Sequence, residues 1–223
     1  MMRRFANAAI LIAAFSTVAQ AQFQIGAGAG LNWAQIGDVE LASITAAYES
    51  QQGWHAGLFI RLDTGPIAFR PGAYYMNAGK LFEGGFDDVL EQLGVFDLRP
   101  DVLDAIREQA DFDVQFLSIP VDVVLTLPLS GVSPYGFVGP EFKLLTSSPD
   151  ASVIADQLKT SVFAGNAGFG LAFSMGGTTF YPEVRFSFDL SSIVGDSIEI
   201  GGEEFTADEY LSSTFFFRLS AAF

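Results

Sequence analysis

The sequence has no cysteine. Disulfide staples and thiolate metal sites are therefore excluded, and the fold must rest on its backbone ladder and its packing. Histidine occurs once, at His55, and no nucleophile motif accompanies it, which leaves no catalytic constellation to build. Basic residues are scarce: 11 Lys and Arg stand against 26 Asp and Glu, a formal charge of −15, so nucleic acid is excluded as a partner. Beyond the start of the chain there is also no apolar run of the roughly 20 residues that a spanning helix needs. Yet 50% of the residues are hydrophobic, with 23 Phe and 23 Gly. Apolar residues that alternate with polar ones, rather than cluster, reconcile the two facts.

The start of the chain reads as an address. Arg3 and Arg4 precede an apolar run from Ala8 to Val18, and Ala19-Gln20-Ala21 supplies an A-x-A cleavage site before Gln22. The run is too short to span a bilayer as a helix. Residues 1–21 are expected to be a secretory signal peptide and residues 22–223 one all-β domain. Losing Arg3 and Arg4 takes the charge from −15 to −17.

The end of the chain has the clearest pattern. Counted back in twos, Phe223, Ala221, Leu219, Phe217 and Phe215 make one wholly apolar face, while Ala222, Ser220, Arg218 and Phe216 make the other. A soluble sandwich strand rarely stops on a complete aromatic face, whereas the closing strand of a membrane barrel does. Seven more alternations precede it, at 23–33, 54–62, 67–76, 112–127, 135–145, 162–175 and 180–190. In the first, Gly26, Gly28 and Gly30 fall at strand period with no helix behind them, so they line an inner face and do not form a nucleotide loop. Pro71 deletes a ladder donor, which predicts a bulge in the third strand, and Pro134 and Pro140 trouble the fifth.

The connections alternate in length. Asp63-Thr64-Gly65-Pro66, the stretch 128–133 and Gly176-Gly177 are tight turns, while 34–53, 79–111, 146–160 and 191–211 are long loops. In the longest, Phe86, Val89, Leu90 and Leu93, followed by Pro100, Val102, Leu103, Ile106 and Ala110, predict two short amphipathic helices over 86–110. A further helical turn is expected over Val153 to Leu158. The four long loops hold three, nine, two and six of the 26 carboxylates. Together these features predict an eight-stranded antiparallel up-and-down transmembrane β-barrel in the cell outer membrane, with short periplasmic turns and long, acidic extracellular loops.

The segments AGAGLNWAQIGD, GWHAGLFIRL, PIAFRPGAYYMNAGK, FLSIPVDVVL and SPYGFVGPEFKLL, with the Phe-terminated end, resemble in order the outer membrane beta-barrel domain family, the PorT-like and OmpA-like eight-stranded barrels of Bacteroidetes-type bacteria. The resemblance spans essentially the whole of 22–223 and implies a barrel with no catalytic residues to carry over. Phe223, with Phe215, Phe217 and Leu219, resembles an outer-membrane assembly signal. The long insert between the third and fourth strands departs from the family pattern.

The inner face collects Arg61, Arg70, Lys143, Arg185 and Arg218 against Asp122, Glu141, Glu183 and Asp189, with His55 also pointing inward. Eight strands enclose only enough room for side chains, so these ions are expected to pair, with Glu183 within reach of Arg218 or Arg70, and to plug the lumen. Asp87-Asp88 and Glu203-Glu204 lack the spacing of a divalent-cation loop and read as hydrated loop charge. The expected function is non-enzymatic, structural or surface-binding, without cofactor or metal. The alternative is a small channel or an accessory component of a secretion or envelope machine. Expected partners are outer-membrane lipid, the outer-membrane assembly machinery and, through the 79–111 loop, an extracellular or envelope protein.

Overall fold

The computed structural model describes residues 22–36, 39–41, 44–46, 50–80, 113–147, 159–192, 197–200, 203–206 and 211–223. Eight long strands close into one barrel: β1 (Gln22–Ile36), β4 (Gln51–Asp63), β5 (Ile67–Asn77), β6 (Gln115–Thr126), β7 (Val132–Ser147), β8 (Ser161–Met175), β9 (Thr178–Asp189) and β12 (Ser212–Ala222). Their order around the wall is β1-β12-β9-β8-β7-β6-β5-β4, every pair is antiparallel, and the first and last strands meet to close it. Two separate hairpins, β2 (Val39–Leu41) with β3 (Ile44–Ala46) and β10 (Ser197–Ile200) with β11 (Glu203–Thr206), lie in the first and last long connections. Neither hairpin is expected from the loop reading. For the last one, S-I-E-I-G-G-E-E-F-T does carry the signal, two short alternations around a Gly-Gly pair.

The period-two pattern decides which way each side chain points. Ile25, Leu58, Val138, Phe169 and Phe217 stand outward at 54%, 63%, 61%, 68% and 51% exposure, while Phe59, Phe137 and Phe216 on the same strands are buried inside. A protein surrounded by water rarely presents so continuous an apolar surface; one surrounded by lipid must. Aromatic pairs mark both edges of this belt. Trp33 and Phe215, with ring centres 6.0 Å apart, and Trp54 and Tyr75, at 5.4 Å, lie toward the long-loop end, and Phe173 stacks on Phe180 at the turn end. At the shortest turn Gly176 and Gly177 both have positive φ, 62° and 84°, the backbone that a two-residue hairpin matching strand twist requires.

The bulge expected at Pro71 does not form. Pairs between β4 and β5 lapse only opposite Arg70 and Pro71, and the register of Phe59↔Gly72 continues unchanged at Leu62↔Phe69. The reason is that proline removes one donor on one side of its strand, and Pro71 still pairs with Val121 of β6 on the other. Pro120, Pro140 and Pro182 repeat this arrangement: each keeps a partner on one neighbour, while its pair on the other is missing. The register shift that does occur lies between Gln115 and Phe116, on β6 against β7 at the loop end. The signal peptide over 1–21, the helices expected over 86–110 and the helical turn over Val153 to Leu158 fall outside the described residues.

Candidate functional site

The lumen is filled in layers. The inward residues Phe59, Ala68, Tyr74, Val124, Tyr135, Phe137, Tyr181 and Ala222 pack into one buried cluster, all but Tyr74 toward the turn end. Glycines paired on the adjoining strand make room for the rings: Gly26 lies against Phe59, Gly168 against Phe137 and Gly170 against Tyr135, so a Cβ at any of them would collide with its ring. Gly28 and Gly30 likewise leave space for Ser220, Arg218 and His55.

Above this cluster sits the charged layer. Arg70 donates to Glu183 through Nη1 at 2.7 Å and to Asp122 through Nε and Nη2 at 3.2 and 3.0 Å. Arg185 grips Asp122 with both terminal nitrogens, at 3.1 and 2.6 Å, and donates to Asn166 Oδ1 at 2.8 Å. Arg218, paired across the ladder with Glu183, reaches its Oε1 at 3.4 Å, and the Tyr135 hydroxyl donates to Oε2 at 2.9 Å. In the order of strands around the wall β5 and β9 stand four places apart, so the Arg70–Glu183 bond crosses the full width of the lumen. The side chains of both partners are nearly inaccessible, at 4% and 0% exposure.

Three guanidinium groups thus share two carboxylates, and the excess positive charge meets aromatic faces. Arg218 lies 3.7 Å from the centre of the Tyr74 ring, while Arg185 and Arg70 lie 4.5 and 4.9 Å from that of Phe137. Arg218 Nε also donates to His55 Nε2 at 3.1 Å, so this ring nitrogen carries no proton, and Phe216 meets His55 edge-on at 5.1 Å.

Of the residues singled out in the sequence, Arg70, Asp122, Glu183, Arg185 and Arg218 are brought together. The other four ions, Arg61, Lys143, Glu141 and Asp189, lie apart from them. Arg61 sits near the turn end, bonded to Asp63 at 2.8 Å and Thr126 at 3.1 Å and lying over the Tyr181 ring. Lys143 lies near the loop end, bonded at 2.7 Å to Asp189, whose other oxygen accepts from the Ser212 backbone and hydroxyl. Glu141 accepts from Ser118 at 2.6 Å, and its Oε2 is buried without a hydrogen-bond partner among the described residues. His55, Tyr74, Tyr135, Phe137 and Asn166 also join the network, and the inward phase of their strands is the only signal in the sequence that points to them. On the outer face, Phe215, Phe217 and Leu219 are 45%, 51% and 53% exposed, and Phe223 closes the ladder by donating its backbone N–H to Ile25 at 3.0 Å.

A closed, eight-stranded barrel with an apolar outer belt and a polar interior defines a class, the membrane β-barrels. The chain belongs to the outer membrane protein beta-barrel domain family, whose model matches residues 5–219, and it is accordingly an outer-membrane protein. Among solved structures it is similar to Neisserial surface protein A, at 10% identity over 91% of this chain and 99% of that one, with a TM-score of 0.48. It is also similar to a major outer membrane protein from Thermus thermophilus, at 15% identity over 92% and 100% of the two chains, with a TM-score of 0.46. The N-terminal β-barrel domain of OprF from Pseudomonas aeruginosa is similar at 11% identity over 92% and 100%, with a TM-score of 0.42. No curated protein matches the sequence.

Proposed function

We propose that this protein is a non-enzymatic, plugged barrel of the PorT-like kind, serving as a structural or surface-binding component of the outer membrane. The observation that carries this reading is the Arg70–Glu183 bond between opposite walls, closed in by Asp122, Arg185 and Arg218 above an aromatic floor. A solute path through this level would have to break several charge-assisted bonds at once and strand their partners without water. What the protein does for the cell then falls to its outward loops, where 20 of 26 carboxylates lie in four segments, three, nine, two and six at a time. The 79–111 loop is the segment proposed to meet an extracellular or envelope partner. Reconstituted into planar bilayers, the wild type is expected to conduct little. Large, steady conductance would overturn the plugged reading in favour of a small channel, and co-purification with a secretion complex would favour the accessory role.

A further inference from the structure

The outer wall is not evenly clad. The outward positions at the turn end of β7 are Pro134, Gly136 and Val138, and Gly136 pairs with Leu125 on one side and Phe169 on the other. Between Val123, Leu125 and Leu127 as one ridge and Phe169 as the other, a groove of about 540 Å³ opens over Gly136. Glycine is not required here by the backbone, since Gly136 is not among the positive-φ residues. Close packing does not require it either, because a Cβ would meet nothing nearer than the Gly168 carbonyl oxygen at 3.7 Å. In this it differs from the luminal glycines, and what its missing side chain supplies is depth.

The groove can recognise only hydrocarbon. Its walls are apolar, and the one hydroxyl among its lining residues, that of Tyr135, is turned inside to Glu183. Its volume falls within the roughly 300–1,000 Å³ of small-ligand sites. From Pro134 to Val138 it runs about 13 Å at about 3.3 Å per residue, close to the ~15 Å depth of one leaflet's hydrocarbon. Its ridges stand two strand spacings apart, about 10 Å between backbones, too narrow once clothed in side chains for a helix of about 10–12 Å. It has no polar rim of the kind a protein interface carries. It is, however, continuous with the lipid-facing belt and opens beside the turns, on the periplasmic side. We propose that this groove seats one acyl chain of a phospholipid in the periplasmic leaflet, with its tail lying over Gly136.

The test uses the full barrel in bilayer discs whose phospholipid carries a spin label in its acyl chain. The amide signals of Val123, Val138 and Phe169 should broaden more than those of Ile25 and Phe217 on the opposite wall; equal broadening would overturn the proposal. Native mass spectrometry of protein extracted from the same discs should show one retained phospholipid, lost in Gly136→Leu, which fills the floor, and in Phe169→Ala, which removes a ridge. Both variants should keep the heat-dependent mobility shift of a folded barrel. Phospholipid retention unchanged in folded Gly136→Leu refutes the site. So does a crosslinked pair of barrels that Gly136→Leu abolishes, since the groove would then belong to a second copy.

Discussion

Replacing Glu183 by Gln should destabilise the barrel more than any other single isosteric change in the lumen. Glu183 is wholly buried and is approached by Arg70 at 2.7 Å, Arg218 at 3.4 Å and Arg185 at 3.6 Å, with Tyr135 at 2.9 Å. Its neutral amide leaves three guanidinium groups to one carboxylate, Asp122. Arg70 and Arg185 keep that partner, but Arg218 is left with His55 and the face of Tyr74. Stranding a buried charge costs about 3–5 kcal/mol. Asp63→Asn is the control, because Asp63 pairs with Arg61 at a site where its own side chain is 21% exposed. Water reaches that carboxylate and Arg61 keeps Thr126 and the face of Tyr181, so the loss there should be smaller. Adding Arg218→Gln to Glu183→Gln removes the stranded cation and should restore part of the loss, with a coupling of about 0.5–3 kcal/mol. Urea unfolding in lipid vesicles, followed by the fluorescence of Trp33 and Trp54, measures five proteins: wild type, Glu183→Gln, Arg218→Gln, their double variant and Asp63→Asn. Strictly additive losses would refute the pairing, and a Glu183→Gln loss no larger than that of Asp63→Asn would refute the desolvation argument.

Glu183→Gln should also leak current in planar bilayers where the wild type does not, and unchanged conductance would separate the network from the plug. Gly168→Val drives a side chain into the Phe137 ring and the Val184 carbonyl, so overpacking should cost about 1–3 kcal/mol in the same urea assay. If Gly168→Val unfolds like wild type, the glycine-against-ring account of the lumen fails. Deleting Phe223 should lower the yield of membrane-inserted barrel more than deleting Glu203 and Glu204, and equal yields would contradict an assembly role for the terminal aromatic.

Strand number, strand phase and inward residues were legible because a period of two, repeated over ten or so residues, has one solution when one face meets lipid and the other a packed lumen. Even Pro134 and Pro140 did not disturb the phase of β7, where Glu141 and Lys143 are buried and Val138 and Phe142 exposed. The expected bulge at Pro71 failed because a missing donor can be absorbed as one gap in a ladder whose register the side chains already hold. Which inward ions meet was only half legible. The inward phase places Glu183 within reach of Arg218 or Arg70, and both reach it; that Arg185 and Arg70 share Asp122 depends on how far each strand is staggered around the whole wall, which no single segment encodes. The aromatic seats of the arginines escaped for the same reason. The hairpin β10–β11 was missed for another, since a short alternation inside a long acidic loop was counted as charge alone.

The seam between β1 and β12 carries a kinetic burden that no other ladder shares. The seven other ladders join strands that follow one another among the eight, whereas Gly26 and Ala222, paired at the seam, stand 196 residues apart. The largest sequence separations in the barrel are therefore gathered in one line of hydrogen bonds, and the closure of the longest loop falls due there. Until β12 has emerged and its last residues, ending in the Phe223 bond to Ile25, are in hand, both edges of the sheet stay open to other chains. Shortening the protein from its end should thus change the time spent as an open, aggregation-prone sheet far more than it changes the number of contacts in the finished wall.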